Sequence, residues 1–314
     1  MESLMFSLNA TVPVFLVMVI GYFLRRIGIL DDHFVTVSNR FNFKVTLPVL
    51  LFLDMANTDL GATFDGKLVL FCAGVTTVAF FTIWGLTRAF LKDRSMRGAF
   101  VQASYRCSVA VMGVALMQNI YGDAGPAPMM ILGAVPLFNI YAVLVLTVEG
   151  PEGEGKGKLV RTVRNVVTNP LLIAIVLGTL SALLRLQYPP IVSKTLDSVA
   201  SLATPQALVC IGAGFEGKKA LAKVKPTAAA ALIKLVLLPA IFLPLAVAMG
   251  FRDGALVTIV IMLGTATTPS SYVMAQSMGG DGVLTSSVIV STTLLSALTL
   301  TFWLFLVRFL GLVA

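Results

Sequence analysis

The residues best equipped for chemistry in this chain sit in an apolar setting. Gly264-Thr-Ala-Thr-Thr-Pro-Ser-Ser-Tyr272 lies near the middle of a long apolar stretch. Pro269 lacks a backbone donor and its ring clashes with the preceding turn, so a helix running through it should unwind around Thr267 and Thr268. What resumes reads as a new N-terminus, with Thr268 as N-cap and Pro269 at the first helical position, where its missing N–H costs nothing. The N–H groups of Ser270, Ser271 and Tyr272 would then point into the protein, and such a half-helix N-terminus attracts anions. The same residues also allow a plain proline kink, with hydroxyls bonded back to carbonyls.

A second region, Ser104-Tyr-Arg-Cys-Ser-Val-Ala-Val-Met-Gly113, carries a cation at comparable depth. Arg106 lies nine residues past Arg97, or ~13 Å along a helix, and Lys234 lies nine past Lys225. Placing either in hydrocarbon costs at least ~2.5 to 3.5 kcal/mol, so each needs protein or a wet cavity around it and a partner, for which Asp54 is one candidate. Arg106 offers a planar fork to a carboxylate, with the Ser108 hydroxyl nearby, and Lys234 would bias the cavity positive. The competing reading ties both cations to helix ends exposed at breaks. Asn9, Asn42, Pro48 and Pro205 are candidate wall residues, the prolines as helix breakers near the site, whereas Asp123 and Asp281 read as turn formers.

Other chemistries find too few residues. His33 is the single histidine and sits beside Asp31 and Asp32, so a histidine metal site or a Ser/His/Asp relay would hang on one loop position. Cys72, Cys107 and Cys210 are odd in number and fall in apolar runs, as small buried hydrophobes do. The net charge of +8 comes in small clusters between apolar runs, unlike a nucleic-acid footprint. No enzyme, metal or cofactor is expected.

The elements that must position these groups follow from composition. Of 314 residues 57% are apolar and 12% charged, against ~25% charged in soluble domains. Mean hydropathy is +0.93. A bilayer-crossing helix needs about 20 mostly apolar residues, and ten stretches qualify. They lie near 7–27, 36–56, 68–90, 98–120, 127–148, 167–186, 196–215, 226–249, 254–278 and 284–310. Sixteen of the 23 basic residues cluster on alternate connections, at Arg25 to Lys44, Arg88 to Arg97, Lys156 to Arg164 and Lys218 to Lys225. Because Lys and Arg favour the cytoplasmic side, both termini should lie outside. The first stretch shows no cleavage site of a removable signal peptide.

The hydrophilic linker 149–166 separates two halves, 1–148 and 167–314, and local patterns recur between them. Asn9-Ala-Thr-Val-Pro13 and Asn169-Pro170 each lead a stretch closing on Leu-Arg; Pro48 pairs with Pro205, and Gln118 to Asp123 pairs with Gln276 to Asp281. Five stretches per half make the two repeats inverted, a recurring device in secondary transporters.

Several motifs together resemble a known family. Arg97-Gly-Ala-Phe-Val-Gln-Ala-Ser-Tyr-Arg106 followed by Gly113, Phe43-Lys-Val-Thr-Leu-Pro-Val-Leu-Leu-Phe52, Leu232-Ile-Lys-Leu235 before Pro239, and Thr267-Thr-Pro-Ser-Ser271 are similar to the auxin efflux carrier family in its short-loop bacterial form. The resemblance covers essentially the whole chain. It implies an all-α membrane protein of ten transmembrane helices, arranged as two inverted five-helix repeats with broken, crossing fourth and ninth helices. Stretches 1, 2, 6 and 7 would form a scaffold and 3–5 and 8–10 a moving transport unit, in a homodimer in the cell membrane. Ser108 and Gly113-Val-Ala115 stand where the family's fourth helix carries Asn and Gly-x-Pro, so the first break would rest on Gly113.

Residues and resemblance together point to a secondary transporter of small organic anions, auxin-like or dicarboxylic, working by elevator-type alternating access. Arg106, Ser108, Gly113, Thr267, Thr268, Pro269, Ser270 and Ser271 would form the substrate site, supported by Lys234, Asp54, Pro48 and Pro205. The coupling ion, proton or sodium, is left open. An anion channel of the same fold and a non-transporting sensor or scaffold are the alternatives.

Overall fold

The computed structural model describes residues 2–57, 65–109, 113–122, 124–150 and 158–313. Asp123 and residues 151–157 of the hydrophilic connection lie outside them. Every regular element among the described residues is helical. In chain order these are α1 (Glu2–Arg26), α2 (Asp32–Phe41), α3 (Leu47–Ala56), α4 (Gly66–Phe90), α5 (Arg94–Tyr105), α6 (Val114–Tyr121), α7 (Ala127–Glu149), α8 (Lys158–Val167) and α9 (Pro170–Leu183). There follow α10 (Pro190–Ala200), α11 (Ala203–Ala213), α12 (Gly217–Ala222), α13 (Val224–Leu232), α14 (Leu238–Ala248), α15 (Asp253–Gly264), α16 (Ser270–Ser277) and α17 (Gly282–Phe309). Two π-helical stretches, Asn42–Thr46 and Ile233–Leu237, join α2 to α3 and α13 to α14.

Helix starts follow local rules. Asp31, Asp65, Asp93, Asn169 and Asp281 each accept a backbone N–H two or three residues ahead, filling donors that a first turn leaves unpaired. Asp281, expected as a turn former, caps the start of α17. Among the described residues five helical runs are long and apolar enough to cross a bilayer, Gly66–Phe90, Ala127–Glu149, Pro190–Ala213, Val224–Ala248 and Gly282–Phe309. The remaining apolar helices are shorter or interrupted, among them Pro170–Leu183 and Asp253–Gly264.

Two boundaries differ from the sequence expectation. Part of the 149–166 linker is the helix α8, in which Leu159, Val160, Val163 and Val166 recur at helical spacing among basic residues. In the second and seventh stretches the interruptions precede the prolines: Pro48 opens α3 after the π-helical stretch, and Pro205 follows a turn at Ser201–Leu202. A proline fits a first turn, so both restart a helix rather than kink one.

The tightest pairings depend on glycine. α1 packs on α11, α3 on α9 and α4 on α7. In each, a side chain added at Gly21 or Gly212, at Gly178, or at Gly133 would run into a backbone carbonyl of the partner helix, that of Val209 or Met18, Phe52 and Val69 respectively. Small residues permit such close backbone approach where lipid provides no hydrophobic drive between helices. Gly212→Val should therefore cost about 1 to 3 kcal/mol through overpacking, read as a lower thermal midpoint of the purified protein. An unchanged midpoint would mean that α1 and α11 do not touch as described.

At one end of the bundle, buried Glu149 of α7 accepts from Trp84 Nε1 (2.7 Å) and Arg88 Nε (2.6 Å) of α4 and lies 3.8 Å from Arg97 of α5. At the other end, Lys67 Nζ of α4 donates to the Met249 carbonyl beyond α14 and lies 4.8 Å from the Phe251 ring centre. The start of α4 therefore meets the end of α14, and the two run antiparallel.

Candidate functional site

Two helices are interrupted where they meet in the interior of the molecule. α5 stops at Tyr105, and Arg106 turns extended (ψ 151°). α15 stops at Gly264, Thr265 turns extended (ψ 158°), and helix resumes at Pro269–Ser270. The two breaks are bonded to each other, with a backbone carbonyl as the acceptor in each case. Ser108 N–H donates to the Ala266 carbonyl (3.2 Å), Thr267 Oγ1 to the Ala103 carbonyl (2.7 Å) and Gln102 Nε2 to the Ser271 carbonyl (2.9 Å). Thr267 N–H in turn finds Thr292 Oγ1 of α17 (3.2 Å). Backbone groups released by unwinding are satisfied across the crossing, which burial in an apolar surrounding demands.

Arg106 is 2% exposed. Its guanidinium donates to Asn139 Oδ1 (3.0 Å), Ser270 Oγ (3.0 Å), Gln102 Oε1 (3.3 Å) and Met274 Sδ (2.9 Å), all uncharged groups. Its Nε–H has no hydrogen-bond partner. Among the described residues no carboxylate forms an ion pair with it. A buried cation held only by dipoles retains most of its attraction for an anion, because low dielectric strengthens Coulomb forces.

The cation borders a cavity of about 60 Å³. Arg106, Ser108, Thr268, Ser270, Asn139, Thr204 and Asp54 supply its polar lining, and Leu51, Val135, Phe138 and Ala207 are among its apolar walls. At roughly 15 Å³ for each water-sized position, it has room for about four such groups, the scale of a short aliphatic acid.

Of the expected site residues, Arg106, Ser108, Thr268, Ser270 and Asp54 line this cavity together. Asp54 stands on the α3 wall and does not join the Arg106 hydrogen-bond set. Thr267, Pro269 and Ser271 shape the crossing from behind. Pro48 and Pro205 stay off the cavity, although their neighbours Leu47 and Thr204 line it. Their two interruptions are linked where Asn42 Nδ2 donates to the Ala203 carbonyl (2.8 Å).

Four expectations need correction. Thr268 does not cap α16: its hydroxyl meets Ser270 Oγ (3.1 Å), and its carbonyl accepts from Ser271 N–H (3.0 Å). Tyr272 N–H likewise bonds the Pro269 carbonyl (3.0 Å), so the tight first turn consumes two of the three amides and leaves Ser270 N–H as the remaining one. Gly113 itself has ordinary helical angles (φ −66°, ψ −49°), and it packs against the Met130 side chain. Lys234, fully buried, does not face the cavity. Its ammonium donates to the Leu263 (2.6 Å) and Met262 (3.2 Å) carbonyls at the end of α15, where unpaired carbonyls and the helix dipole favour a cation.

Asn139 and Gln102 were not singled out by sequence reasoning. Asn139 carried a signal, as a lone amide in the apolar α7 three residues after Pro136.

The Membrane transport protein family model matches residues 6–304. A protein of Rhizobium meliloti (strain 1021) named "Putative malonate transporter" is 24% identical over 306 residues, covering 94% of this chain and 94% of its own. A protein of Methanothermobacter thermautotrophicus named "Uncharacterized transporter" is 22% identical over 304 residues, covering 95% of this chain and 97% of its own. With the match running nearly end to end and the transporter names agreeing with it, the chain is a membrane transport protein, not an enzyme, and belongs to the auxin efflux carrier family that its motifs resemble.

Proposed function

We propose that this protein is a secondary transporter of small aliphatic carboxylates. One observation carries the reading: a buried guanidinium with uncharged partners and one unpartnered N–H, at the wall of a cavity between two interrupted helices. An incoming carboxylate would take Arg106, the Ser108 and Thr268 hydroxyls and the Ser270 N–H as its donors, while Leu51 and Val135 hold the short carbon chain. The cavity size favours the smallest aliphatic acids over a bicyclic aromatic such as auxin. The name of the Rhizobium meliloti relative makes malonate, a short aliphatic diacid, the first candidate to test.

The wider reading has ten crossings as inverted repeats 1–148 and 167–314, both termini outside the cell membrane, and an elevator motion in a homodimer. The alternation of basic clusters supports the orientation. The pairing of α3 with α9 and α10, of α1 with α11, and of α4 with α5 and α7 follows a division into scaffold and moving unit, whereas α1 also packs closely on α17 and joins the two groups.

Counterflow in proteoliposomes tests the function. Vesicles preloaded with unlabelled malonate should accumulate labelled malonate transiently above the outside concentration, which a channel cannot do. Asn139→Asp should abolish this accumulation while preserving the fold, since the new carboxylate would sit on Arg106 and compete with substrate. Absence of counterflow with every two- to four-carbon acid, or full activity in Asn139→Asp, would reject the reading.

A further inference from the structure

We propose that the trough between α4 and the α13–α14 pair binds an anionic phospholipid, with one acyl chain in the trough and the headgroup at Lys225 and Lys92. The trough is about 670 Å³ and runs from Val78 to Phe90 along α4, twelve residues or ~18 Å. That is close to one leaflet's share of a ~30 Å hydrocarbon core. Ile83 and Leu86 form one wall and Ala229, Ile233 and Leu237 the other, an almost wholly apolar lining.

Charge is confined to one end. Lys225 lines the trough there, and Lys92 follows Leu91, which also lines it. Both lysines are exposed and neither takes part in an ion pair among the described residues. The far end closes on Ile241 and Phe242. An occupant matched to this shape has an anionic head, a long saturated or mono-unsaturated tail, and a length of one leaflet. A neutral lipid would leave both ammonium groups unused, and a short soluble anion would leave the trough unfilled.

The location gives the lipid a purpose. Ile233 and Leu237 begin and end the π-helical stretch whose Lys234 holds the end of α15. An acyl chain against them covers the outer side of that same turn, so its binding should stiffen the support of the crossing without touching the substrate cavity.

The test is retention of lipid by the purified full-length protein in native mass spectrometry, offered phosphatidylglycerol and phosphatidylcholine with identical chains. Each lysine near an anionic headgroup is worth about fivefold in binding, so phosphatidylglycerol should be preferred by about 25-fold and the Lys92→Gln/Lys225→Gln double variant should lose that preference. Ala229→Trp, which fills the trough, should lose retained lipid of both kinds. Equal retention of the two lipids by the unaltered protein, or an undiminished preference in the double variant, overturns the proposal. So does equal retention of a free fatty acid, which would make the ligand a single-chain anion, or conversion of a dimer to monomer by Ala229→Trp, which would make the trough a subunit interface. Should Ala229→Trp fail to fold, the lysine variant decides alone, since both its changes lie on exposed side chains. Transport of carboxylate enters none of these readouts, so the lipid site stands or falls independently of the proposed substrate.

Discussion

Arg106→Ala should abolish saturable carboxylate uptake while leaving a folded protein. Among the described residues the guanidinium is the only cation on the cavity wall, and removing the charged partner of a buried ion contact costs about 2 to 5 kcal/mol, or roughly 30- to 5,000-fold in affinity. Its own partners are uncharged, so Asn139, Ser270 and Gln102 are left without a stranded charge and can bond one another or water. The loss should therefore appear as a missing ligand-induced thermal shift at a nearly unchanged unliganded midpoint. Arg106→Lys should recover little, because a point ammonium cannot reach Asn139 and Ser270 together as the planar fork does. Wild-type uptake in Arg106→Ala would move the substrate elsewhere in the protein.

Lys234→Met should fail differently. Methionine matches the stem in length and removes the ammonium, which leaves the Met262 and Leu263 carbonyls buried without their donor. Each unmet carbonyl costs about 1 to 3 kcal/mol, offset in part by relief of a fully buried charge, so a net loss of about 2 to 4 kcal/mol is expected. The unliganded thermal midpoint should fall, and uptake should fall with it because the end of α15 carries the second break. A midpoint equal to wild type would show that the ammonium is not what holds that helix end. The pair of variants thus separates a residue facing substrate from one supporting the backbone behind it.

The two breaks were unequally legible. Pro269 acts on its own neighbours, so the restart of α16 can be placed from a few residues. No comparable signal marks Arg106 to Ser108. There the helix is replaced by a bond from Ser108 N–H to Ala266, 158 positions away in the chain, and a local reading turns instead to Gly113. Thr268 has the right type for an N-cap, yet the first turn of α16 closes tightly enough to bond its carbonyl instead. The depth of Lys234 follows from counting residues from Lys225, but its target does not, because the carbonyls it meets belong to another helix. The π-helical stretches around Lys44 and Lys234 left no compositional mark. α8 was hidden by the glycine-rich run before it, although its valines and basic residues already have helical spacing.

Because the crossing is tied together by peptide groups and by the Gln102, Thr267 and Thr292 side chains, none of which lines the hollow, its shape does not depend on which side chains look into it. Positions such as Val135, Asn139 and Thr204 can therefore exchange during divergence, altering the cargo while the cradle persists. Change of diet in such a lineage would begin with a handful of wall substitutions, and the frame that carries them across would be inherited intact.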